Sequence, residues 1–193
     1  MGKDFILEIY KNRQTVFTLR EISLLFPQIA YKNLKSKVNY FVNAGKLKRL
    51  RKGIYAKEDF DFWELANKVY TPSYISLETV LQKEGIVFQE YQTIFVVSYL
   101  TRRIKVAGQE IFYRKIKDEI LLNSLGVNGE DSYSIASKER AFLDAVFLYR
   151  DYHFDNLKPL DWEKIKEMEK IYSSKALVRR VGEYYRLYQE KNV

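Results

Sequence analysis

Between Thr18 and Lys57 the sequence leaves few alternatives, because its helix starts, stops and turn residues fall at fixed distances from one another. Thr18-Leu19-Arg20-Glu21 fits a capping box, in which the Thr18 hydroxyl accepts from the third backbone N–H while Glu21 reaches back. The helix begun there has to stop at Pro27, since proline bars the helical conformation for the residue before it. A second helix is expected over residues 31–44, closed by Gly45 as a left-handed C-cap. Leu34, Val38, Phe41 and Val42 share one stripe of it, at i, i+4, i+7 and i+8. Lys32, Lys35, Ser36, Asn39 and Asn43 share the opposite stripe, which carries no carboxylate. Its ammonium, amide and hydroxyl groups are the types that reach phosphates and base edges. The run from Lys46 to Tyr55 then reads as a basic hairpin, with Gly53 supplying the turn and Arg51 and Lys52 at its tip. Alternation in its first strand is imperfect, because Leu47 and Leu50 cannot share a face of a regular strand. Preceded by a helix over residues 4–11 with Phe5, Ile6 and Ile9 on one side, this order predicts a winged helix-turn-helix over residues 1–57.

The charge distribution agrees with that division. Residues 1–57 hold thirteen Lys and Arg against three acids, whereas the remainder holds twenty against twenty-two. The net +8 of the chain therefore belongs to its first third, which points to a polyanionic partner for one domain only. Hydrophobic residues at 47% and aromatics at 16% suffice for packed cores in two small domains. The absence of cysteine removes disulfides and thiolate metal sites and fits a reducing cytosol. With no apolar run near the length of a membrane span and no signal core after Met1-Gly2-Lys3-Asp4, a soluble cytoplasmic protein away from membranes is expected.

Past the hairpin, residues 58–70 read as a connecting helix, acidic at its start, with Phe62, Leu65, Ala66 and Val69 on its apolar side. Thr71 to Ser76 reads as a break, with Ser76 capping a helix that carries Leu77, Val80 and Leu81 up to Gly85. The pattern then turns extended at Ile86-Val87-Phe88, Ile94 to Val97 and Ile104-Lys105-Val106. A turn at Ala107-Gly108-Gln109 leads into Ile111-Phe112-Tyr113, and Ile120-Leu121-Leu122 is a further strand candidate. Gly126 and Asn128-Gly129-Glu130-Asp131 read as a loop. A helix from Ser137 to about Tyr149, a break at residues 155–159 and helices over 161–172 and 174–190 complete the chain. The fold class expected is α+β: the winged unit, then an α+β domain over 71–193 with a small mixed or antiparallel sheet and C-terminal helices.

Catalytic constellations are missing, so no catalytic, cofactor or metal residues are assigned. His153 is the one histidine, and Tyr152 and Phe154 beside it suggest an ordinary semi-buried side chain. The glycines are scattered and form no phosphate-binding motif. No acid is followed two residues later by lysine, the pairing a metal-dependent nuclease commonly uses on a strand; Gln189-Glu190-Lys191 is only a terminal variant. Glu139 and Asp144, five apart, fall on different helical faces. The tyrosines are spread over both domains as packing, with Tyr31 the exception: a contact to DNA or a hydrophobic staple.

Three stretches together resemble the AbiEi-type antitoxins. Residues 45–55 look like their wing, Thr71-Pro72-Ser73-Tyr74-Ile75-Ser76-Leu77-Glu78-Thr79-Val80-Leu81 resembles their entry into the second domain, and Ile135 to Asp144 is similar to a later helix start. The likeness spans roughly residues 5–150, and Lys138-Glu139-Arg140 departs from the proline and Glu-Lys usual there. It implies a type IV toxin–antitoxin role. The N-terminal domain would repress its own operon, and the C-terminal domain would counteract a neighbouring AbiEii-like nucleotidyltransferase toxin without a stable complex.

On the DNA side, the helix over 31–44 is expected to enter the major groove with its N-terminal half, presenting Tyr31, Lys32, Asn33, Lys35, Ser36 and Asn39. Arg49, Arg51 and Lys52 would hold the adjacent backbone or reach the minor groove, and Arg20 would clamp a phosphate. No heptad is long enough to dimerise the chain, so a monomer is expected in solution, with two copies placed on double-stranded DNA by inverted repeats in its own promoter. The competing reading is a ligand-responsive winged-helix repressor whose second domain senses a small molecule.

Overall fold

The computed structural model describes residues 4–129 and 132–190. The first six elements are α1 (Phe5–Lys11), β1 (Val16–Thr18), α2 (Leu19–Leu25), α3 (Tyr31–Asn43), β2 (Lys48–Arg51) and β3 (Ile54–Ala56). The capping box forms at Thr18: its hydroxyl accepts the Glu21 N–H at 3.2 Å, and the Glu21 carboxylate accepts the Thr18 N–H at 2.7 Å. Helix α2 ends two residues ahead of Pro27, and Gly45 after α3 takes φ +69 as the left-handed cap requires. Leu34 and Val38 are fully buried, while Phe41 and Val42 pack half-buried beside them. The Phe5 ring of α1 stacks on Phe26 and Phe41, closing a small apolar cluster.

Strand β1 was not anticipated. It pairs antiparallel with β3, which makes a three-stranded sheet in the order β1-β3-β2. Alternation along these strands divides two cores. Phe17 and its register partner Tyr55 join the small cluster, whereas Val16, Ile54 and Ala56 join a larger one. The register of β2 slips between Arg49 and Arg51, so Leu50 is an inserted residue. That bulge accounts for the broken alternation: Leu47 packs into the small cluster and Leu50 against the large one.

The connecting helix α4 (Phe62–Val69) begins four residues later than the sequence suggested. Residues 58–61 stay outside the helix because Asp61 is its N-cap, accepting from the Trp63 N–H at 2.7 Å while its own N–H donates to the Thr15 hydroxyl. The expected break at 71–76 contains a central strand, β4 (Ser73–Ile75), and the helix after it is α5 (Glu78–Lys83), uncapped by any side chain. Ser76 does not cap it; its hydroxyl donates to Asp144 at 2.8 Å. The strands β5 (Ile94–Ser98), β6 (Arg102–Val106) and β7 (Gln109–Lys115) lie where the extended pattern placed them. Two other expectations fail. Ile86 to Phe88 forms no strand, since the backbone of Ile86 and Phe88 bonds to Asp155 and its neighbour. Ile120 and Leu121 belong to a helix, α6 (Asp118–Leu121), whose C-terminal carbonyl receives the Arg140 guanidinium. Asn128 and Gly129 lie in β8 (Val127–Gly129) rather than a loop, paired with β9 (Ser134–Ala136); Glu130 and Asp131 lie outside the described residues.

Helices α7 (Lys138–Leu148), α8 (Trp162–Met168) and α9 (Lys175–Glu190) complete the chain, with a 3-10 turn at Glu169–Tyr172. The large sheet is six strands wide, in the order β6-β7-β5-β4-β9-β8, and mixed. The fold is α+β, built on two sheets. Tyr113 and Arg114, adjacent on β7, show how its faces are covered. The Tyr113 hydroxyl donates to the Ala66 carbonyl of α4, whereas the Arg114 guanidinium lies 4.7 Å over Tyr149 at the end of α7. Among the described residues no helix is long and apolar enough to cross a membrane.

Candidate nucleic-acid interface

Helix α3 owes its polarity to its position. Leu34 and Val38 press inward, so residues half a turn away on the far side point to solvent. Tyr31, Lys32, Asn33, Lys35 and Ser36 are all exposed, and Lys37, which had not been singled out, stands with them. Asn39 is half-buried. Lys32, Lys35, Ser36 and Asn39 follow at i, i+3, i+4 and i+7 and form one continuous row. The Ser36 hydroxyl leans back on the Lys32 carbonyl at 3.4 Å, so it presents mainly its acceptor lone pairs outward. Tyr31 is 61% exposed and staples nothing. Ala30 caps the helix without a side chain, which leaves the first-turn N–H groups open.

The hairpin is only partly as expected. Arg49 and Lys52 are exposed, and Arg20 is exposed on α2. Arg51 is not free at the tip. Its guanidinium turns back 5.9 Å over the Tyr70 ring, and its Nη1 is buried without a hydrogen-bond partner. The bulge at Leu50 rotates Arg51 inward, and no single-strand pattern announces a bulge. Lys48 is neutralised by Glu58, which receives its Nζ both on the carboxylate at 2.7 Å and on the backbone carbonyl.

A buried polar joint holds this head to the rest. The Glu64 carboxylate, fully buried on α4, accepts from both the N–H and the hydroxyl of Thr15. Lys68, one turn on, pairs with Glu21 of the capping box and faces Glu64 at 3.7 Å. Burial pulls the Glu21 carboxyl upward, but hydrogen bonds from Lys68 and from the Thr18 backbone outweigh it and hold its pKa below the ordinary value. Lys57 is drawn down by burial, with the Glu64 charge opposing.

The second polar assembly was missed entirely in the sequence. Arg140 and Asp144 are both wholly buried, with Nε and Oδ1 3.5 Å apart. Asp144 accepts from Tyr172, Ser76 and Tyr74 at 2.7, 2.8 and 3.2 Å, and burial keeps its pKa above the usual range despite Arg140. The Arg140 guanidinium donates to the carbonyls of Ile120 and Leu125 at 2.6 and 2.7 Å. With both side chains wholly buried, these groups tie α7 to β4 and α6 rather than present themselves to a ligand. The i, i+4 charge pair in an apolar helix was the available signal. Glu139 is buried too, and among the described residues no cluster of acids and His could hold a metal ion. His153 is exposed rather than semi-buried, its ring 83% accessible and 3.5 Å from Asp155.

No protein-family model matches the chain, and no curated protein does. Among solved structures, that of the RV2827C protein from Mycobacterium tuberculosis is similar, with a TM-score of 0.53 at 10% identity, over 91% of this chain and 73% of that one. At that identity the likeness extends to the arrangement of elements alone.

Proposed function

We propose that residues 1–57 are a winged helix-turn-helix and that the protein binds double-stranded DNA at its own promoter as a repressor. The observation that carries this reading is the exposed, acid-free row along α3, backed by the packed Leu34–Val38 seam. A rigid helix with ammonium, amide and hydroxyl groups on one side and an uncapped N-terminus meets a phosphate backbone and base edges together. Arg20, Arg49 and Lys52 supply phosphate contacts around it, and Arg51 acts from within by fixing the hairpin on Tyr70. Two copies act on an inverted repeat, each a monomer before it binds.

The further reading is that of the autorepressor and antitoxin of an AbiE-like type IV system, acting in the cytoplasm against a nucleotidyltransferase toxin. It rests on the resemblance of the wing, of residues 71–81 and of residues 135–144. Gel shifts on the protein's own promoter test the first half: Asn33→Ala and Asn39→Ala should alter which sequence is preferred. Equal loss on specific and random DNA would remove their assigned role. Co-expression with the neighbouring gene tests the second half, and a toxic neighbour whose growth arrest the full chain fails to relieve would end the antitoxin reading.

A further inference from the structure

The β6–β7 ribbon carries a second cationic surface that α3 and the hairpin do not account for. Residues 101–117 hold six Lys and Arg against one acid, Glu110, whereas the rest of the chain past residue 57 holds fourteen against twenty-one. Strand β6 is an edge of the large sheet; Arg103 and Lys105 project from the face that carries Phe112, Arg102 and Lys115 from the opposite face, and Lys117 follows β7, all of them exposed. Glu110 faces both Arg103, at 3.4 Å, and its cross-strand partner Lys105, and also accepts from Thr93. Glu78 of α5 is a second carboxylate acting on Arg114 and Arg103, and two carboxylates do not balance six cations.

Aromatic support distinguishes the ribbon from a merely solvated edge. The Arg103 guanidinium sits 3.9 Å over the centre of the Phe112 ring, at stacking distance, while its side chain remains 54% exposed. Its outer side is therefore an open planar cation held in place from beneath. Arg114 is fixed in turn between Phe112 and Tyr149, at 5.4 and 4.7 Å. Glu58, Asp59 and Asp61 line the cleft between Lys48 of the hairpin and Ala107 at the ribbon's turn. A duplex bridging both basic surfaces would have to pass over these carboxylates, so the two surfaces work separately.

We propose that the β6–β7 ribbon binds single-stranded nucleic acid. Lys105, on the same face, takes a phosphate, Arg102 reaches another around the sheet edge, and one unstacked base lies on the outer face of Arg103. Unstacked bases are what a supported guanidinium plane can receive and what a duplex withholds. Fluorescence anisotropy on the full chain, with labelled oligo(U), oligo(dT) and a random-sequence duplex, tests this. The single strands should bind, and the stronger of the two identifies RNA or DNA as the natural ligand. Arg103→Ala should weaken that binding about tenfold, with Arg103→Lys restoring only part because it returns charge without a plane. Lys105→Ala, outside the Phe112 stack, should weaken it while leaving thermal melting unchanged. Lys32→Ala with Lys35→Ala should spare single strands and weaken the duplex. The proposal is overturned if single strands do not bind, if folded Arg103→Ala binds them as the wild type does, or if the α3 double variant loses both ligands together.

Discussion

Arg140 and Asp144 tie together two stretches far apart in the chain, residues 71–81 and 135–144. Tyr74 and Ser76 come from the first stretch and Arg140 and Asp144 from the second, and all four meet in one sealed network. A strand supplies neighbours two apart on one face, a helix supplies them four apart, and the spacing of each motif follows. Removing Asp144 leaves the Arg140 charge buried and uncompensated. Asp144→Ala should cost about 3–5 kcal/mol in urea unfolding, and a loss below about 1 kcal/mol would show that water reaches the site. Glu21 offers a test by pH. Its folded pKa lies below its ordinary value of 4.5, so its contribution is full above that value and is lost as pH falls through the folded pKa. Glu21→Gln should lower Tm at neutral pH, and the gap to the wild type should close in acid; a gap independent of pH would mean Glu21 acts through shape alone.

Helices were more legible than strands, and particular residues show why. Thr18, Pro27 and Gly45 act through local chemistry, so α2 and α3 were set by residues a turn apart. Strand β4, by contrast, looks like a break in the sequence because Pro72 precedes it, Ser73 opens it and Ser76 follows it, and only its partners β5 and β9 make it a strand. Ile120-Leu121-Leu122 went the other way, as short apolar runs do when nothing local chooses between helix and strand. For the candidate site the same division holds. The exposed row of α3 could be read from periodicity, but the inward turn of Arg51 depends on the bulge and on Tyr70, nineteen residues on. The two tip residues should therefore separate. Arg51→Ala should cost about 1 kcal/mol of stability by losing its stacking on Tyr70, read as a lower Tm. Lys52→Ala should leave Tm unchanged and weaken every DNA sequence alike, with a salt slope shallower by about 0.9. If Arg51→Ala leaves Tm unchanged and Lys52→Ala lowers it, the roles assigned to the two are reversed.

At the scale of the whole molecule, the three-stranded sheet is a shared wall. Val16, Ile54 and Ala56 belong to the large core and Phe17 and Tyr55 to the small one, so the basic head is packed against the body rather than tethered to it. Helix α4 reinforces the wall through Glu64, Lys68 and the Thr15 bonds. The α3 row is thus held on a fixed support, which a reading head needs if it is to discriminate bases by geometry. Titration of the promoter duplex over a range of salt measures that most directly, for the wild type and for Lys32→Ala with Lys35→Ala. With about five phosphates neutralised, log affinity should fall with log salt at a slope near −4.5, and the double variant's slope should relax to about −2.7. A flat slope, or one the double variant leaves unchanged, would contradict the assignment of α3 to DNA.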